Sequence, residues 1–132
     1  MMMLPIALAA AGAAALINFW LSWRIAQLRQ SEDIWIGDGG NKPLTARMRA
    51  QANFTEYTPL VLVLIALVEA ARGTHLWLAI VAAVFILARI LHVFGMDGWR
   101  PGRMAGMIGT APVMIGLGLY AAVIAVMALL GR

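Results

Sequence analysis

From Met1 to Trp23 the chain carries no charged residue, and three more stretches nearly match it: Gln51–Val68, Thr74–Phe94 and Met104–Leu130. Crossing a bilayer by α-helix takes about 20 consecutive, mostly apolar residues. In hydrocarbon every backbone amide must be satisfied within its own segment, so an apolar run of this length can only be a helix. Four such runs in 132 residues leave little chain outside the membrane. The expectation is an all-α fold: one integral membrane four-helix bundle over 1–132, with helices at about 3–29, 44–70, 74–97 and 103–130.

Composition agrees. Charged residues are 12% of the chain, against roughly 25% in a soluble domain. There is no cysteine, which removes structural disulfides and thiolate metal sites, so thiol chemistry would need a thiol carried by a ligand. Two histidines, His75 and His92, are too few for a metal site. The net charge of +4 has no basic soluble face to carry it, so no nucleic-acid partner is expected. The first run is too long, and its start too poor in charge, for a cleaved signal peptide.

Basic residues report orientation. Arg24, Arg29, Lys42, Arg47 and Arg49 lie in or beside the first connection, and Arg89, Arg100 and Arg103 flank the third. Only Arg72 and Arg132 fall on the other side. The positive-inside rule then puts connections one and three in the cytoplasm and both termini outside. Trp20, Trp23, Trp77 and Trp99 fall near helix ends, where interfacial aromatics belong. Arg24 and Arg29 read as snorkelling anchors. The string GDGGN at 37–41 marks a turn in the one long loop. Pro59 and Pro112 are expected to kink their helices. Glycines along the fourth helix, with Gly102 and Gly106 in GxxxG spacing, would let a neighbouring helix approach closely.

Against this apolar background the stretch RAQANFTEYTPL at 49–60 stands out. At about 100° per residue, Arg49, Asn53 and Glu56 share a stripe roughly 60° wide, with Tyr57 at its edge. A carboxylate facing lipid is costly, so the stripe should face protein or a polar cavity. One reading is structural, in which Glu56 neutralises Arg49 or Arg89 and Asn53 joins two helices. The other counts charges: one buried carboxylate meets several arginines at one level, among them Arg89 and Arg103. An excess of cation suits an anionic ligand, since arginine forks bind carboxylates and a glutamate can hold an ammonium group.

The pattern RxRAQxNxxEYxPL at Arg47–Leu60 resembles the second-helix signature of leukotriene C synthase and the microsomal glutathione transferases. These belong to the membrane-associated proteins in eicosanoid and glutathione metabolism, the MAPEG family. The GDGGN loop is similar to that of the family's bacterial branch, and ARILH at 88–92 is similar to its third-helix Ala-Arg-x-x-His/Tyr element. The resemblance covers nearly the whole chain. It implies a homotrimer in a bacterial inner (cytoplasmic) membrane, with glutathione as co-substrate held between subunits near the cytoplasmic face. It implies glutathione contacts at Arg49, Asn53, Glu56 and Tyr57, with Arg89 and His92 lining the same site. Arg103 matches the arginine that stabilises the thiolate, and the intervening Pro101 and Gly102 make Arg100 the alternative. Where transferase-active members carry a tyrosine about one turn beyond His92, this chain has Val93 and Met96. The implied activity is transferase or peroxidase chemistry on a lipophilic electrophile from the bilayer. A non-catalytic glutathione-binding protein is the alternative, followed by a small transporter using Glu56.

Overall fold

In a computed structural model of the chain, residues 3–131 are described; Met1, Met2 and Arg132 lie outside them, including the terminal arginine counted in the charge balance above. The described chain is four α-helices and no strand: α1 (Pro5–Glu32), α2 (Lys42–Arg72), α3 (Leu76–Met96) and α4 (Arg100–Leu129). Each is long and apolar enough to cross a membrane. The protein is an all-helical membrane bundle.

The ends of the helices follow from local chemistry. Asn41 caps α2 through its side chain, which accepts from the Leu44 amide at 2.9 Å. In the loop before it Gly37, Gly39 and Gly40 all have positive φ, the region where glycine alone is unstrained, and Asp38 ties the turn together. Its carboxylate accepts from the Gly40 amide and the Thr45 hydroxyl, which hold its pKa below the ordinary aspartate value. Helix α4 begins at Arg100, about one turn earlier than sequence suggests. Pro101 sits in its first turn, where a missing amide proton costs nothing. Both α2 and α4 run unbroken through Pro59 and Pro112.

The start of α1 is capped from far away. Its N-cap residue, Leu4, has no side chain able to accept a hydrogen bond. Instead Glu69, near the end of α2 and only 1% exposed, accepts from the Ile6 amide at 3.1 Å and the Ala7 amide at 2.9 Å. Thr74 donates to the same carboxylate at 2.9 Å. A negative charge at a helix N-terminus satisfies orphan amides and opposes the helix dipole.

Two apolar clusters fill the interior. One joins Ile6, Val61, Ile65, Leu78, Phe85 and Leu117; the other joins Ile17, Leu21, Phe54 and Val93. Aromatic pairs lie at both ends, Trp20–Phe94 at one and Trp77–Tyr120 at the other. Large apolar side chains such as Phe19, Leu67, Leu87 and Leu119 point outward, as the lipid-facing surface of a membrane bundle requires.

Glycine decides how α3 meets α4. A Cβ on Gly106 would lie 2.4 Å from the His92 Cβ, and one on Gly109 would lie 2.4 Å from the Ala88 Cβ. On the α3 side, a Cβ on Gly95 would come within 2.1 Å of the Arg103 amide nitrogen. The GxxxG spacing is therefore a contact surface within one chain. Gly116 and Gly118, further along, meet nothing within 4 Å and take no part in it.

Candidate functional site

The close α3–α4 seam brings one face of α2 against both helices and leaves a cavity of about 290 Å³ between them. Helix α2 contributes Arg49, Asn53 and Tyr57; α3 contributes Arg89, His92 and Met96; α4 contributes Arg103, Met107 and Thr110. Six of the residues singled out by sequence thus share one cavity. A larger cavity of about 580 Å³ between α1 and α3 is lined almost wholly by alanine, leucine and isoleucine, with no charged group to direct chemistry.

Arg89 is the hub. It is 2% exposed, donates to the Thr110 hydroxyl at 3.0 Å and to the Asn53 side-chain oxygen at 2.5 Å, and so ties α3 to both α4 and α2. Its Nε is buried without a partner in the protein, and so is Nδ1 of His92, itself 5% exposed. Buried polar atoms are normally hydrogen-bonded, so two orphans beside one cavity mark a place prepared for a polar ligand. Three arginines line the cavity and no carboxylate does. The residues fit an anionic ligand.

Glu56 is not among the lining residues. It sits on α2 between Asn53 and Tyr57 but is exposed on the outer surface of the chain, and it forms no ion pair or side-chain hydrogen bond among the described residues. The structural reading, Glu56 neutralising Arg49 or Arg89, is therefore not what the described residues contain. Arg89 is held by Asn53 and Thr110 instead. Of the two candidate arginines at the start of α4, Arg103 lines the cavity and Arg100 lies outside it. The first turn of α4 hydrogen-bonds back to Trp99, with Gly102 and Arg103 both donating to the Trp99 carbonyl, and this sets which arginine lines the cavity. Val93 belongs to the apolar core, whereas Met96 faces the cavity and brings no hydroxyl to it.

Three contributors escaped the sequence reading. Thr110 lies seven residues, or about two helical turns, after Arg103, so it shares that residue's stripe and was findable by spacing. Asp97 pairs with Arg24, which also lies 5.1 Å over the Trp20 ring; Arg24 is thus a paired group and more than a snorkelling anchor. Glu69 carried no motif at all.

The MAPEG family profile matches residues 7–127, nearly the whole chain. The chain is a MAPEG protein. It is similar to the inner membrane protein YecN of Escherichia coli (strain K12), with 30% identity over 96 residues that cover 69% of this chain and 72% of the relative. The YecN protein of Escherichia coli O6:H1 matches to the same extent. This MAPEG protein thus combines four membrane-spanning helices with an arginine-rich cavity between α2, α3 and α4.

Proposed function

We propose that the protein is a glutathione-dependent membrane enzyme of transferase or peroxidase type, acting on a lipophilic electrophile that enters from the bilayer. The observation that carries this reading is the cavity with three arginines, two orphaned buried nitrogens and no carboxylate. Glutathione bears two carboxylates and one ammonium group. The guanidinium groups of Arg49 and Arg89 suit the carboxylates, and Asn53, Tyr57 and His92 supply neutral polar contacts. Arg103 serves the thiol, because a cationic neighbour lowers a thiol's pKa and the thiolate is the nucleophile. In a conjugation the thiolate sulfur bonds to the electrophilic carbon, the leaving group departs with its electron pair, and the thiol proton passes to solvent.

Glu56 supports an oligomer. A carboxylate exposed at membrane depth is expensive against lipid, so a neighbouring subunit must cover it. In the homotrimer we propose, Glu56 faces that neighbour and holds the ligand's ammonium group at the boundary. The membrane is the bacterial inner membrane, where the similar protein YecN resides. The distribution of basic residues puts the 33–41 loop in the cytoplasm and both termini outside.

Three variants test the reading. Arg103→Ala is expected to bind glutathione nearly normally but to lose the ultraviolet absorbance of the bound thiolate, and turnover of an aryl halide with it. Arg100→Ala should keep both. If wild type shows no thiolate signal, the protein is a glutathione-binding protein without catalysis. Glu56→Gln should assemble normally and bind glutathione about 10- to 150-fold more weakly, the loss expected for one charge-assisted hydrogen bond of roughly 1.5–3 kcal/mol. Unchanged affinity in calorimetry on the assembled variant removes Glu56 from the ligand site.

A further inference from the structure

A second charged cavity lies towards the end of the bundle that carries the 33–41 loop, between α1 at Arg24, the start of α2 and the end of α3, with a volume of about 490 Å³. Arg24, Lys42 and Arg47 face it, against one carboxylate, Asp97. That carboxylate is already engaged by the Arg24 Nη2 group. The other Arg24 nitrogen, Nη1, is buried with no partner in the protein. Arg47 donates one N–H to the backbone carbonyl of Arg24 at 2.6 Å, which anchors its guanidinium group against α1 beside the cavity. Lys42 is exposed and forms no ion pair among the described residues. The cavity therefore carries an uncompensated positive charge. It shares only Met96 with the cavity of the preceding subsections.

The surroundings decide the kind of anion. Arg24 rests over the Trp20 ring, Trp20 packs on Phe94, and Phe94 and Trp23 remain 46% and 51% exposed. A tryptophan level of this sort marks the membrane interface, with headgroups beside it and acyl chains beyond. Basic pockets between helix ends at that level attract anionic lipid headgroups. A free anion would meet the same cations but gain nothing from the adjoining apolar surface. We propose that this cavity binds the phosphodiester headgroup of an anionic phospholipid, with Arg24, Lys42 and Arg47 as its contacts and the acyl chains lying over Trp23 and Phe94.

The test is native mass spectrometry of the whole protein released from nanodiscs of equal parts phosphatidylglycerol and phosphatidylcholine. Wild type is expected to retain phosphatidylglycerol preferentially. Lys42→Gln, which removes an exposed and unpaired side chain without touching the packing, should cut that preference about fivefold, and Lys42→Gln with Arg47→Gln should cut it by about that factor again. Arg103→Ala, in the other cavity, should leave it unchanged. Equal retention of the two lipids by wild type overturns the proposal, as does a preference that Lys42→Gln leaves intact or that Arg103→Ala abolishes equally. Retention of inorganic phosphate as an adduct that displaces phosphatidylglycerol would assign the cavity to a free anion and overturn the lipid assignment.

Discussion

Glu69→Ala is expected to destabilise the protein by about 3 kcal/mol or more, although the residue lies far from the arginine-lined cavity. The substitution removes the acceptor for the Ile6 and Ala7 amides and for the Thr74 hydroxyl at a site that is 1% exposed. A hydrogen bond to a charged group contributes roughly 1.5–3 kcal/mol, and a buried donor left without a partner adds its own desolvation cost. The protein itself covers the site, so water does not reach it to replace the lost oxygen atoms, and Leu4 has no side chain to take over the cap. Thermal unfolding in detergent should show the loss, and amide exchange should accelerate at Ile6 and Ala7 first. Glu69→Gln keeps one acceptor oxygen and should fall between the alanine variant and wild type. An alanine variant with wild-type stability and protected amides would show that the cap contributes nothing.

Gly95→Ala is expected to have a comparable effect by a different route, and to damage the cavity as well. The added methyl carbon would lie 2.1 Å from the Arg103 amide nitrogen and 2.4 Å from its Cα. Both are backbone atoms that cannot rotate aside, so α3 and α4 must separate near their joining turn. Overpacking of this kind costs typically 1–3 kcal/mol, and a clash against main chain belongs at the upper end of that range. Because Arg103 itself is displaced, the variant should also lose the thiolate signal while keeping every polar side chain of the cavity. Gly116→Ala is the matched control. Its methyl group would meet nothing within 4 Å, and alanine favours a helix over glycine by roughly 0.5–1 kcal/mol, so its melting temperature should hold or rise. A Gly95→Ala protein that melts and binds like wild type would mean that the seam is looser than these distances require.

The sequence by itself determined the number and kind of elements, because in lipid the choice of backbone structure is almost forced. Four apolar runs of spanning length admit four helices and nothing else, and the helix-two stripe Arg49, Asn53, Glu56, Tyr57 was visible as polar residues in a segment where each one is costly. That Arg49, Asn53, Tyr57, Arg89, His92 and Arg103 share one cavity was implied by the resemblance of the helix-two and helix-three motifs, which placed Glu56 there as well. Tertiary structure decided what no periodicity encodes. A stripe 60° wide still spans two neighbours, so only the packed α3–α4 pair showed that Asn53 and Tyr57 turn inward while Glu56 between them turns out. The choice between Arg100 and Arg103 rested on a turn of hydrogen bonds to Trp99. Glu69 shows the limit most plainly: its partners are backbone amides 62 and 63 residues away, and an amide leaves no mark in the sequence to say which carboxylate will reach it.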